Sequence, residues 1–373
     1  MNYLFLASFG EISTYILYIL LAILVLMVMI TVHELGHFIM GKILGFGIEE
    51  FSIGFGPKIF SKKKINGEVF SLRLIPLGGF CSFKGEDKDD TDPKAFNNKK
   101  PWQRILVLIS GAFMNYVLAI FVISLMFGVY GHSAIMAYDV NENSEYSTEY
   151  SLKDRDVFLE VNGKKVYLVT DLIKATDGAS KGDIIPCYVL RNGEKQSVEI
   201  KLLADADYKN LEDLEGLCSS LGINYTLDDN GVISDTGFRS TGIKLGFFEN
   251  IGKSFEYSIK LAGTIFSVLG ELITGSLGIK SLGGTVTTIS VTADAIKAGG
   301  LWSLLNITAF IGVNLAVFNL LPIPALDGSR VVFTTIEWIR RKPINRRVES
   351  IIHAVGFVLI LLFAIFIDLQ QCF

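Results

Sequence analysis

Residues 12–39 read ISTYILYILLAILVLMVMITVHELGHFI: a charge-free run from Ile12 to Val32, then His33, Glu34 and His37 within one turn of an otherwise apolar stretch. About 20 apolar helical residues cross a bilayer core, so the run predicts a membrane helix with titratable groups at one end. The first run does not read as a secretory signal peptide. It lacks a basic leader and continues into Phe38–Phe46 without a cleavage pattern. A charged group inside a membrane helix costs about 2.5–3.5 kcal/mol on insertion scales, so three polar groups on one turn call for a shared partner. The HExxH spacing names that partner. It sets two imidazoles one turn apart on one helix face, where both reach a single Zn²⁺, and it aims the intervening carboxylate at the attacking water. Two bland alternatives stand beside this: HExxH is a loose pattern that arises by chance, and a helix end can simply reach the headgroups.

The rest of the chain agrees with a membrane setting. It has 373 residues, half of them hydrophobic and 19% charged, with a mean hydropathy of +0.44. Soluble domains carry about a quarter charged residues, so a soluble single-domain enzyme, a disordered chain and a collagen-like fibre are all excluded. The net charge of −4 gives no basic field for nucleic acid. Cys81, Cys187, Cys218 and Cys372 contain no CxxC pair, hence neither a disulfide framework nor a thiolate zinc site.

Three further charge-free runs predict spans: Ile105–Tyr138, Leu301–Leu326 and the shorter Ile351–Ile367, which contains His353. Leu261–Gly270 is too short to span, and Ile259–Ile273 reads as an amphipathic interfacial helix. Residues 42–104 hold twelve Lys/Arg, and Arg330, Arg340, Arg341, Lys342, Arg346 and Arg347 cluster between the last two spans. Residues 139–250 carry twelve basic against twenty-one acidic residues. Basic loops stay cytoplasmic, which puts the acidic segment and both termini outside.

The two inward loops differ. Residues 49–83 mix Phe, Ile and Val with Gly56-Pro57, Asn66-Gly67 and Gly78-Gly79, and predict short antiparallel strands at the membrane surface. Residues 84–101 read as a solvated, mobile linker. The outward segment predicts a folded domain with strands at Val157–Val161, Ile184–Leu190 and Ser197–Leu202. Turns are expected at Asn162-Gly163 and Asn192-Gly193, and a helix near Asp171–Thr176. Residues 203–240 show no period and read as loop or insertion.

A catalytic zinc site needs a third protein ligand. His132 falls near the outer face, on the wrong side. His353 falls near the inner end of the fourth span and stays open on that ground. The better candidate is Asp327 in NLLPIPALDG (319–328), at the depth of His33 and His37 and just before Arg330. Pro322 and Pro324 break the helix there and free backbone groups that need partners. By itself Asp327-Gly328 is equally an ordinary turn at a membrane exit.

Taken together these motifs resemble the site-2 protease family of intramembrane zinc metalloproteases, in its bacterial regulator-of-sigma-E-protease branch. They occur in family order: HELGH (33–37), FSIGFGP (51–57), RLIPLGGF (73–80), GAFMN (111–115), a PDZ-like LKDRDVFLEVNGKKV (152–166) and NLLPIPALDG (319–328). The resemblance implies His33, His37 and Asp327 as zinc ligands and Glu34 as catalytic base. It implies Asn319, Pro322 and Pro324 as channel residues, with Gly78, Gly79 and Phe80 on the substrate-binding strand of a hairpin that clamps unwound substrate by strand addition. It further implies single-pass transmembrane substrates, anti-sigma factors or signal-peptide remnants, cut in the bacterial cytoplasmic membrane in regulated intramembrane proteolysis. Departures are Gly111-Ala112 where the family has Gly-Pro, Gly283-Gly284-Thr285-Val286 where it has Gly-Pro-Val, and Arg155 in place of a PDZ glycine.

The expected architecture is a polytopic α-helical membrane protein with four transmembrane helices, a membrane-associated β-hairpin or sheet, and one extracytoplasmic PDZ-like α+β domain. Its parts are 1–46, the first membrane helix with HExxH; 47–103, the cytoplasmic-side β region and linker; and 104–138, the second membrane helix. There follow 139–245, the PDZ-like domain with its acidic insertion; 246–300, an amphipathic interfacial segment; 301–328, the third membrane helix; and 329–373, the cytoplasmic loop and fourth membrane helix. The competing reading is a non-catalytic membrane scaffold whose outer domain binds peptides.

Overall fold

The computed structural model describes residues 9–86, 90–141, 151–208, 213–227, 233–275 and 283–372. Two compact units divide the chain, one built from residues up to Leu125 and from Ile251 onward, the other from Met126–Asn250.

Helix α1 (Phe9–Ile43) is apolar around its circumference and carries the HExxH turn without interruption. It stops where Gly45 takes φ +69° and the Phe46 amide donates to the Gly41 carbonyl at 2.8 Å. Strands β1 (Ile48–Lys63) and β2 (Val69–Phe83) follow, joined at Asn66-Gly67 with Gly67 at φ +91°. They are long rather than short. Each bends back on itself, so that Phe51 lies opposite both Cys81 and Phe70. Glu50 ties the bends together by accepting from Ser71, Arg73 (2.9 Å) and Lys58 (3.1 Å). Burial pushes its carboxyl up, yet these donors hold it below the ordinary carboxylate range.

The expected mobile linker at 84–101 is largely packed. Phe96 is buried between the rings of Phe46 and Phe83, Lys84 pairs with Asp92 at 2.8 Å, and the Asn97 amide donates to the Gly85 and Glu86 carbonyls. A single aromatic anchor outweighs the polar composition of the segment. Residues 87–89 of that stretch lie outside the described residues.

Helix α2 (Pro101–Tyr130) starts with proline at its first position and ends eight residues before the expected Tyr138, because Gly131 turns the chain at φ +86°. What was expected as the end of the span is strand β3 (His132–Ala137). The second unit continues with β4 (Val157–Val161), β5 (Lys164–Lys165), α3 (Val169–Thr176), β6 (Ile184–Arg191), β7 (Glu194–Lys201), α4 (Leu214–Leu221), β8 (Tyr225–Leu227), β9 (Ile233–Thr236) and β10 (Phe238–Ile243). Its main sheet runs β10-β3-β4-β6-β7 with β5 beside β4. The hairpin turns sit where expected, with Asn162, Gly163, Asn192 and Gly193 all at positive φ.

The stretch 203–240 is more ordered than its composition suggests. Asp213 caps α4 by accepting from Gly216 at 3.0 Å, Gly222 ends it in the left-handed conformation, and Leu217, Cys218, Leu221 and Ile223 enter the core. A two-turn helix is too short to show a period among acidic neighbours. Residues 209–212 and 228–232 of the stretch lie outside the described residues. Cys187 and Cys218 are buried free thiols of this core, and burial pushes Cys218 up to about 11.

Helices α5 (Phe247–Thr274), α6 (Thr285–Asn319), α7 (Asp327–Arg340) and α8 (Arg346–Cys372) complete the chain. α6 begins well before the expected Leu301 and is kinked at Gly300 (φ +57°). Among the described residues, four helices are long and apolar enough to cross a membrane: Ser13–Ile43, Pro101–Tyr130, Thr287–Asn319 and Arg347–Gln370. With the β region they fit a polytopic membrane protein. α5 is amphipathic and is not among the four, as expected of the segment around Ile259–Ile273.

Candidate metal centre

α1 presents His33 and His37 from one face, their rings edge to face with centroids 4.8 Å apart. Asp327 arrives from the other end of the sequence as the first residue of α7, after the loop that follows Asn319. Its Oδ2 stands 2.9 Å from His33 Nε2 and 3.2 Å from His37 Nε2, and the two Nε2 atoms are 3.2 Å apart. Tetrahedral zinc with bonds near 2.0–2.1 Å needs donors about 3.3 Å apart, so this set matches one triangular face of that polyhedron and leaves the fourth position open. Among the described residues it is the one group of three or more His, Cys, Asp or Glu side chains that could hold a metal. His353 and His132 stand outside it.

The surroundings of the imidazoles fit the same purpose. His37 Nδ1 donates to the Val107 carbonyl at 2.8 Å, which aims Nε2 inward. The Asn115 amide lies 3.5 Å from His33 Nδ1, with Nδ2 facing the ring and the buried Oδ1 lacking a hydrogen-bond partner. With its Oδ1 turned to the ring, Asn115 would accept from His33 Nδ1–H and leave Nε2 as the free nitrogen. Val107 and Asn115 carry no signal as ligand partners in the sequence, although Asn115 closes the GAFMN stretch.

Two glycines let α2 come this close. A Cβ on Gly36, between the two histidines, would meet the Ser110 backbone, with Gly111 Cα at 2.9 Å. A Cβ on Gly111 would come within 2.8 Å of His33 Cε1 and 2.7 Å of His37 Cε1. Gly111→Ala is therefore expected to displace both rings and weaken zinc binding about tenfold or more. Zinc retained after dialysis, measured beside wild type, checks this; equal retention would remove the steric argument.

A cavity of about 530 Å³ opens onto these groups, lined among others by Glu34, Phe80, Cys81, Glu86, Asp327 and Arg330. Glu34 stands between the two histidines in sequence, and its carboxyl faces the backbone of β2 near Cys81. β2 thus runs directly beside it: a Cβ on Gly79 would lie 3.3 Å from Glu34 Cγ, and one on Gly78 would collide with the Phe55 ring. Of the expected substrate residues, Phe80 lines the cavity. Asn319 ends α6, and Pro322 and Pro324 lie in the loop leading to Asp327, outside that lining. Glu86 pairs with Arg330, joining the end of the β region to the first turn of α7. Deeper in the same unit, the buried Arg104–Glu337 pair (2.6 Å) fastens α2 to α7.

The model of peptidase family M50 matches residues 21–363. A relative from Clostridium perfringens, whose assigned name is that of a zinc metalloprotease, is 36% identical over 348 residues, covering 92% of this chain and 95% of its own. Relatives with names of the same kind from Fusobacterium nucleatum (31% identical; 94% and 97% covered) and Clostridium acetobutylicum (30% identical; 95% and 96% covered) match over comparable lengths.

Proposed function

The chain belongs to peptidase family M50, the site-2 protease family, and is a zinc metalloendopeptidase; from that premise we propose that His33, His37 and Asp327 hold its zinc and Glu34 is its general base. The observation that carries the assignment is the triangle of donor atoms from two distant segments, with Glu34 on the wall of the cavity beside it. Bound zinc supplies Lewis acidity, polarising the scissile carbonyl and drawing the pKa of water toward about 7. Glu34 takes a proton from the attacking water and delivers it to the leaving amine. Val107 and Asn115 hold the imidazoles in the tautomer that turns Nε2 to the metal.

The substrates we infer are single-pass membrane proteins cut within or next to their transmembrane segments, of the anti-sigma-factor or signal-peptide-remnant type. A transmembrane helix hides its carbonyls in its own hydrogen bonds and must unwind before attack. Among the described residues, Gly79–Phe83 of β2 pair only with Ile48–Ile53, which leaves the edge beside Glu34 able to pair an unwound segment. The break at Asn319, Pro322 and Pro324 shapes the approach for substrate and water. In this reading the basic loops face the cytoplasm of a bacterial inner membrane. The second unit, with its five-strand path, β5 and α3, is a PDZ-like extracytoplasmic domain.

The test uses full-length protein in lipid nanodiscs with single-pass substrates of both types and mass mapping of the cut bond. Cleavage inside or beside the transmembrane segment, abolished by a zinc chelator and restored by zinc, is the expected result. Cleavage confined to soluble, already extended peptides would sink the intramembrane reading while leaving the metallopeptidase.

A further inference from the structure

α8 supplies none of the three donor atoms, yet it grips the loop that delivers one of them. His353 Nδ1 accepts the backbone N–H of Ala325 at 3.1 Å, and the Ser329 hydroxyl stands 3.5 Å from the same nitrogen. Ala325 and Ser329 bracket Asp327, two residues before it and two after. Ala325 sits at φ +81°, a left-handed conformation that a residue with a Cβ adopts only when its surroundings impose it. Pro322 and Pro324 have no N–H with which to fasten the loop to itself, so the Ala325 amide is one of its few points of attachment. One helical turn along the same face of α8, Gly356 lies against Pro324: a Cβ there would come within 2.9 Å of the Pro324 carbonyl carbon and oxygen. The Phe333 ring braces the imidazole edge to face, with centroids 5.7 Å apart.

We propose that His353 is a positioning residue of the metal centre. By accepting from Ala325 it holds the Pro322–Leu326 loop in the conformation that sets Asp327 Oδ2 against the two imidazoles. The proposal rests on the reading of Asp327 as a zinc ligand. It makes the seating of α8 on this loop a condition for tight zinc binding, although α8 contacts no metal.

The test is the zinc affinity of the full-length protein in micelles, measured by competition with a chromophoric chelator. The variants are His353→Ala, His353→Asn, Gly356→Ala and Asp327→Ala. Asparagine is the informative replacement, because its Oδ1 falls where the imidazole carries Nδ1 and it has nothing at the place of Nε2. His353→Ala is expected to weaken zinc binding about tenfold or more, with His353→Asn within about threefold of wild type. Gly356→Ala pushes the same loop away from α8 at Pro324 and should weaken binding as His353→Ala does. Wild-type affinity in His353→Ala overturns the proposal. So does an Asn variant as weak as the Ala one, since the acceptor at Nδ1 would then not be what matters. If His353→Ala fails to fold, Gly356→Ala decides, and unchanged affinity there is the overturning result. Zinc retained by Asp327→Ala is a separate failure, that of the ligand assignment itself.

Discussion

Glu34→Gln is expected to leave the zinc content of the purified protein unchanged and to lower peptide cleavage by about 10²–10⁴-fold, the range that a positioned general base supplies. The substitution keeps the length and shape of the side chain, so the Cγ that lies against Gly79 and the polar tip that faces the β2 backbone near Cys81 both have a place to go. What it removes is the ability to accept a proton. Glu34 is not among the three clustered donors, so zinc should be indifferent to the change. The check pairs two numbers from one preparation: zinc per chain, and product formed from a single-pass substrate. Wild-type cleavage by the Gln variant would take Glu34 out of the chemistry. Loss of zinc together with cleavage would make it a metal-holding residue instead.

How much of this was legible in the sequence depends on the range of the interaction involved. The HExxH turn and the apolar run before it are local, and α1 contains both without distortion. Asn66-Gly67 announced its turn for the same reason. Asp327 was reachable because depth in a bilayer is itself a coordinate: a lone carboxylate after a long apolar run, beside Arg330, has few places to lie. Counting charge-free residues misplaced span ends, however. α6 begins at Thr285 because Asp294 and Lys297 interrupt the count without interrupting the helix, and α2 ends at Tyr130 because a glycine conformation, not a charge, stops it. The packing of Phe96 under residues 84–101, the amide of Asn115 and the grip of His353 on Ala325 are tertiary facts. No periodicity or composition encodes them.

Asp327→Ala carries the sharpest consequence, because it separates the two halves of the donor set. Wild type is expected to hold about one zinc per chain, and the variant close to none, since two imidazoles alone give neither the third bond nor the charge that a carboxylate brings to a divalent ion. The fold should survive. Asp327 is one-fifth exposed and lines the cavity, so truncating it removes little packed volume. α7 gives up one acidic residue in its first turn, worth about 0.3–1 kcal/mol. The Arg104–Glu337 pair that ties α7 to α2 is untouched. Retained helicity with lost zinc and lost cleavage would therefore locate the effect at the metal. Zinc retained without Asp327 would leave His33 and His37 in place and require a different third donor from the same cavity wall, where Glu34, Cys81, Glu86 and His353 are the remaining groups able to coordinate. Asp327→Asn sharpens the comparison, because it keeps an oxygen at the same position and removes only the charge. If Asn restores zinc where Ala does not, geometry is the main contribution of Asp327; if neither does, the anionic charge is.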